Sequence, residues 1–193
     1  MNKEQLKQLR EETGISITEC QKALEEAVGD LKKAKEILRE KGKEMVKGKQ
    51  SRTASKGMVA SYIHPGSKIG VLLQLNCETD FVAKSEDFEK LTREISLQIA
   101  ASKPFFVKTE DIPEEFLDGE KKVYQKQFQN SGKPQKIIEQ IIEGKLMKYK
   151  KEVSLLDQNW IKDDSKTIKD LIDEYRAKFG EKIEIERFAR FEI

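Results

Sequence analysis

The stretch NCETDFVAKSEDF, residues 76–88, sets Thr79, Asp80, Phe81 and Val82 side by side where a strand-like run gives way to a helix-like one. Such a junction is exposed. An aromatic there offers binding chemistry rather than bond-making: a ring to bury against a partner, beside a carboxylate able to accept hydrogen bonds. On spacing alone, the commoner role of Phe81 is a core residue anchoring the helix start. Asp80 is then a plain N-cap, and Lys22, in CQKALEE, a solvated charge.

Groups that make and break bonds are scarce. The chain has one histidine, His64, beside Pro65, where it is expected to end a strand at a turn. A hydrolase triad or histidine-rich metal site therefore has no material. Cys20 and Cys77 lie far apart with no metal-ligand spacing. They read as two buried thiols of a reducing compartment. The segment KGKQS does not sit between a strand and a helix, so it is no phosphate-binding loop. Acids alternate with lysines on helix faces, as on solvated surfaces. Most aromatics fall at core spacing rather than on a stacking platform. No enzyme activity, cofactor or metal is expected.

Composition agrees. Charged residues make up 37% of the 193, against about 25% in an average domain. The signs nearly balance, with a net charge of +2, whereas a strong nucleic-acid binder carries a larger basic excess. No apolar run approaches the ~18 residues of a membrane helix. The start, MNKEQLKQLREETG, reads as a helix rather than a signal or transit peptide. A protein with no membrane contact and no direct nucleic-acid partner is expected.

Three helices are predicted over residues 1–41. The first has Leu6 and Leu9 on one face, an Asn2–Gln5 capping box and Gly14 as its stop. The second opens with a Ser16–Glu19 capping box, carries Cys20, Ala23, Leu24 and Ala27 inward, and ends at a left-handed Gly29. The third is capped by Asp30, turns Leu31, Ala34, Ile37 and Leu38 inward, and stops at Gly42. Residues 42–56, rich in Lys, Gly and Ser, are expected as a basic flexible linker. Residues 57–193 form an α+β core. A hairpin turns at PGSK, with Ile69, Val71, Leu73 and Leu75 on one face. A helix capped by Ser85 carries Phe88, Leu91, Ile95 and Ile99. A less regular helix follows. The next helix gathers Ile137, Ile138, Ile141, Ile142, Leu146 and Tyr149 on one face. LLDQNWIKDDS connects to a helix with Ile168, Leu171, Ile172, Tyr175 and Phe179 inward, and EKIEIERFARFEI alternates as a last strand. The order predicts an antiparallel sheet of at least three strands with helices on one side. From the residues alone this is a two-domain binding protein.

Four segments in order, REETGISITECQKALEEAVGDLKKAKEILREKG, NCETDFVAKSEDF, GKPQKIIEQIIEGKL and GEKIEIERFARFEI, resemble the signatures of translation elongation factor Ts. The resemblance covers nearly the whole chain. It implies a cytoplasmic guanine-nucleotide exchange factor that releases GDP from elongation factor Tu, binding Tu both with GDP and without nucleotide. It also implies an N-terminal three-helix module similar to ubiquitin-associated domains. In the family, the Asp-Phe pair of the TDFV motif enters the Tu nucleotide-binding domain; the aromatic wedges between two helices and disturbs the magnesium site. The matching residues are Asp80 and Phe81, flanked by Thr79 and Val82, with Lys22 as a second contact from the N-terminal module. Many members carry two sheet-and-helix units and a protruding coiled coil, whereas this length admits one unit. Short members dimerise, which implies a two-to-two complex with Tu. Residues 181–193 contain no cysteine, so a non-covalent pairing through the final strand or its neighbours is expected. Other functional classes are a protein-interaction adaptor and a ribosome-associated factor that binds RNA through residues 41–57.

Overall fold

The structure is a computed structural model that describes residues 3–48, 53–129, 131–132 and 134–193. Its first three helices are α1 (Lys3–Thr13), α2 (Ile17–Glu26) and α3 (Leu31–Gly48). Gly14 and Gly29 take the left-handed backbone, at φ 67° and 82°, and break the chain between them. The Ser16 hydroxyl accepts the Glu19 N–H at 3.3 Å, and Asp30 accepts those of Lys32 and Lys33 at 2.8 and 3.2 Å. Only half of the expected Ser16 capping box forms, because the Glu19 carboxylate meets Lys22 at 3.2 Å. Leu6, Leu9, Cys20, Ala23, Leu24, Ala27, Ala34 and Leu38 close a small core, with Leu31 and Ile37 half-buried beside it. The expected cap at Asn2 lies outside the described residues.

Gly42 does not stop α3, which continues to Gly48. The expected linker over 42–56 therefore begins as helix. Its residues 49–52 lie outside the described residues, and a strand starts at Lys56. A helical glycine costs about 1 kcal/mol relative to alanine; it ends a helix only where the chain turns left-handed.

The core follows in the order β1 (Lys56–Ile63), β2 (Ile69–Cys77), α4 (Asp80–Ala83), α5 (Glu86–Ser102), α6 (Glu114–Phe128), α7 (Gln135–Val153), β3 (Asn159–Trp160), β4 (Asp163–Thr167), α8 (Ile168–Phe179) and β5 (Ile183–Glu192). β1, β2 and β5 form an antiparallel sheet in that order. Val71, Leu73, Leu75 and Cys77 alternate to its inner face, where they meet Phe88, Leu91, Ile95 and Ile99 of α5 and Ile168, Leu171 and Ile172 of α8. Among the described residues nothing covers the outer face in this way, and Val59, Ile63, Leu72 and Phe191 lie exposed. The β2–β5 register shifts between Gln74 and Leu75, which pair with Arg187 and Ile185. This bulge reverses the alternation along β5. Ile183 and Ile185 point inward before it. After it Phe188 and Arg190 take the positions opposite Leu73 and Val71. The Arg190 guanidinium donates to the Ala100 carbonyl at 3.1 and 3.2 Å.

Two further stretches differ from expectation. LLDQNWIKDDS holds the two-stranded β3–β4 hairpin rather than a plain connection. It is pinned by Gln98 of α5, whose fully buried amide donates to the Gln158 side chain and the Asn159 carbonyl, both at 3.1 Å, and accepts the Ile161 N–H at 2.9 Å. The six apolar residues of α7 do not make one buried face. Ile142 is buried and Ile137 exposed, because α7 packs chiefly on α6, which itself has no buried residue. Phe116 joins the two helices by stacking on Tyr149 at 5.9 Å.

The N-terminal helices rest on the core through α3 and α8. The stem of Lys178 fills the space above Gly14, where an added Cβ would lie 2.5 Å from Lys178 Cε.

Two glycines test the backbone account by unfolding in urea. Gly57, at φ 143°, would bring a Cβ to 2.2 Å from the Leu75 carbonyl oxygen, so Gly57→Ala is expected to cost at least about 2 kcal/mol. Nothing lies within 4 Å of a Cβ at Gly119 in α6, and Gly119→Ala is expected to add about 0.5–1 kcal/mol.

Candidate functional site

β2 ends at Cys77, and after Glu78 the chain makes a single helical turn, α4. Thr79 caps that turn: its backbone is extended and its hydroxyl accepts the Val82 N–H at 3.3 Å. The buried Cys77 thiol donates to the Thr79 carbonyl at 3.2 Å. Burial raises the Cys77 pKa, with the charges of Glu181 and Asp80 adding to the effect, so the group stays a thiol at neutral pH. Ser85 then caps α5, accepting the Phe88 N–H at 3.2 Å and donating to the Val82 carbonyl at 2.8 Å. Two caps six residues apart leave the intervening chain little freedom.

The four motif residues divide between inside and outside. Val82 is buried in the main core. Asp80 points outward, with Oδ2 3.5 Å from the Lys56 ammonium, an exposed pair worth little by itself. Phe81 is 86% exposed, so it is not the core anchor that spacing alone favours. Lys22 lies elsewhere, on the exposed side of α2, with its ammonium 3.2 Å from Glu19.

A residue that the sequence reading did not single out supports the turn. Glu181, in the connection from α8 to β5, accepts the backbone N–H groups of Glu78 and Thr79 at 3.2 and 3.1 Å and the Thr79 hydroxyl at 2.6 Å. Glu78 in turn accepts the Lys182 N–H at 2.6 Å. Glu181 is one acid among many in a charge-rich chain, and its partner lies 102 residues away.

Among the described residues one further concave feature stands out. A cleft of about 670 Å³ is lined by Lys108, Asp111, Arg176, Lys182 and Glu184. Within it Lys182 pairs with Glu184 at 2.9 Å and Arg176 with Asp173 at 2.8 Å. Among the described residues no group of three or more His, Cys, Asp or Glu stands where it could hold a metal ion. No described helix is long and apolar enough to cross a membrane.

The in–out division predicts unequal stability effects for neighbouring residues. Phe81→Ala is expected to change the unfolding free energy by less than about 0.5 kcal/mol. Val82→Ala should cost about 1–3 kcal/mol through the lost methyls and the cavity they leave. Chemical denaturation of the two variants checks both.

Comparison with known proteins finds relatives over nearly the whole chain. The family model described as "Elongation factor TS" matches residues 3–193. The elongation factor Ts of Coprothermobacter proteolyticus is 52% identical over 188 residues, which cover 97% of this chain and 95% of that protein. Those of Desulforamulus reducens and Thermodesulfovibrio yellowstonii are 50% and 52% identical, cover 97% of this chain, and are themselves covered over 87% and 94% of their length. The chain belongs to the elongation factor Ts family, and is thus a factor of translation elongation rather than an enzyme.

Proposed function

We propose that this protein acts in the cytoplasm as a guanine-nucleotide exchange factor, promoting GDP release from elongation factor Tu by wedging Phe81 into the Tu nucleotide-binding domain and disturbing its magnesium site. The observation that carries this is a phenylalanine 86% exposed on a turn capped at both ends. Exchange needs no covalent step. The factor must bind Tu with an empty site better than Tu with GDP, since only differential affinity moves an equilibrium. Reciprocally, GDP then weakens the factor by the same ratio. Burying one Phe side chain is worth about 1.5–3 kcal/mol, and about 1.4 kcal/mol is tenfold in rate. Burial confined to the opened Tu state would thus speed release by one to two orders of magnitude.

The neighbours take supporting roles in this proposal. Asp80 meets donors uncovered by the opened site. Thr79 and Val82 hold the turn, one by capping it and the other from the core. Lys22 supplies a second contact from the N-terminal module.

The same reading includes a homodimer and a two-to-two complex with Tu. Support comes from the uncovered sheet face, where Val59 of β1, Leu72 of β2 and Phe191 of β5 stand exposed together with Ile63. An apolar face of this kind is a usual mark of an interaction surface.

Two measurements test these statements. In stopped-flow with a fluorescent GDP on Tu, Phe81→Ala should slow stimulated release at least about tenfold; unchanged stimulation rejects the wedge. An adaptor would bind Tu without accelerating release, and an RNA-binding factor would show RNA affinity that falls steeply with salt. In analytical ultracentrifugation the wild-type chain should sediment as a dimer and Leu72→Asp as a folded monomer. A wild-type monomer at every concentration contradicts the pairing.

A further inference from the structure

The α8–β5 corner touches both features that the proposed function uses. Gly180, left-handed at φ 68°, ends α8 and turns the chain toward β5. Just before it, Lys178 pairs with Asp87 at the start of α5 at 2.7 Å and packs its stem on Gly14. Phe179 and Gly180 share a cleft of about 220 Å³ with Ile15, Ser16 and Glu19 of the N-terminal module. Just after it, Glu181 takes the three hydrogen bonds from Glu78 and Thr79. A four-residue helix cannot hold its own geometry. Hydrogen bonds to an ionised carboxylate are roughly twice as strong as neutral ones. The cap of α4 is therefore fixed largely by a side chain from another part of the fold.

We propose that Glu181 is a positioning residue for nucleotide exchange. It does not meet Tu; it locks the Thr79 cap so that Phe81 projects in one orientation before contact. This rests on the wedge role given to Phe81. A ring held ready avoids the ordering cost that a loose turn would incur when the Tu site opens. Loss of the clamp should then act on the opened state, where the ring is buried, and leave the first encounter with GDP-bound Tu alone.

The experiment compares full-length wild type, Phe81→Ala, Glu181→Gln and the double variant, following fluorescent GDP release from Tu over a range of factor concentrations. Glu181→Gln replaces one acceptor oxygen with an amide NH₂ that faces donors. It is expected to lower the maximal release rate by about fivefold to tenfold, while the half-saturating concentration moves less than about twofold. Added to Phe81→Ala, it should slow release no further, since it acts through that ring. Unaltered release by Glu181→Gln, or equal slowing in both backgrounds, overturns the positioning role while leaving the wedge intact. If Phe81→Ala itself leaves release unaltered, wedge and clamp fall together. Should Glu181→Gln not fold, Glu181→Asp, which keeps the charge but shortens the reach to Glu78 and Thr79, is judged by the same non-additivity with Phe81→Ala.

Discussion

The candidate site depends on one constraint of helical geometry. Residues one apart in a helical turn point about 100° from one another. In α4, Val82 is committed to the core beside Cys77 and α5, so the preceding side chain is directed away from it. Val82 faces the core while Phe81, one step round the turn, faces solvent, so the packing that holds Val82 also anchors the residue that carries the ring. The caps at Thr79 and Ser85 and the carboxylate of Glu181 add to that fixation. An aromatic ring kept in water carries an unspent hydrophobic free energy, available to whatever surface can cover it.

This arrangement suits the proposed exchange role in a chain whose described residues hold no metal-binding cluster. An exchange factor need only present a preformed shape that one state of its partner fits better than the other. The rest of the fold then acts as support. The sheet and α5 anchor the turn, and α8 carries both the N-terminal helices and the corner from which Glu181 reaches the cap.

Much of the support was legible in the sequence because its signals are local. Capping by Ser16 and Ser85, the left-handed Gly29 and the period-2 pattern of β2 each act within a few residues. What escaped is tertiary. Gly42 lies inside α3 because no left-handed turn occurs there. The β3–β4 hairpin needs the buried amide of Gln98, roughly sixty positions away. The apolar run of α7 meets a neighbouring helix instead of the main core. The bulge in β5 is set by pairing with β2. At the site, spacing alone favoured Phe81 as a core residue; the resemblance of TDFV to its family turned it outward. Glu181 lies inside the segment GEKIEIERFARFEI, but nothing local marks it as the partner of Thr79, 102 residues away.

The central claim is a difference in affinity, and titration calorimetry measures it directly. The wild-type protein should bind nucleotide-free Tu at least about tenfold more tightly than GDP-bound Tu under the same magnesium and salt, the equivalent of about 1.4 kcal/mol. Equal affinity for the two forms would contradict the account.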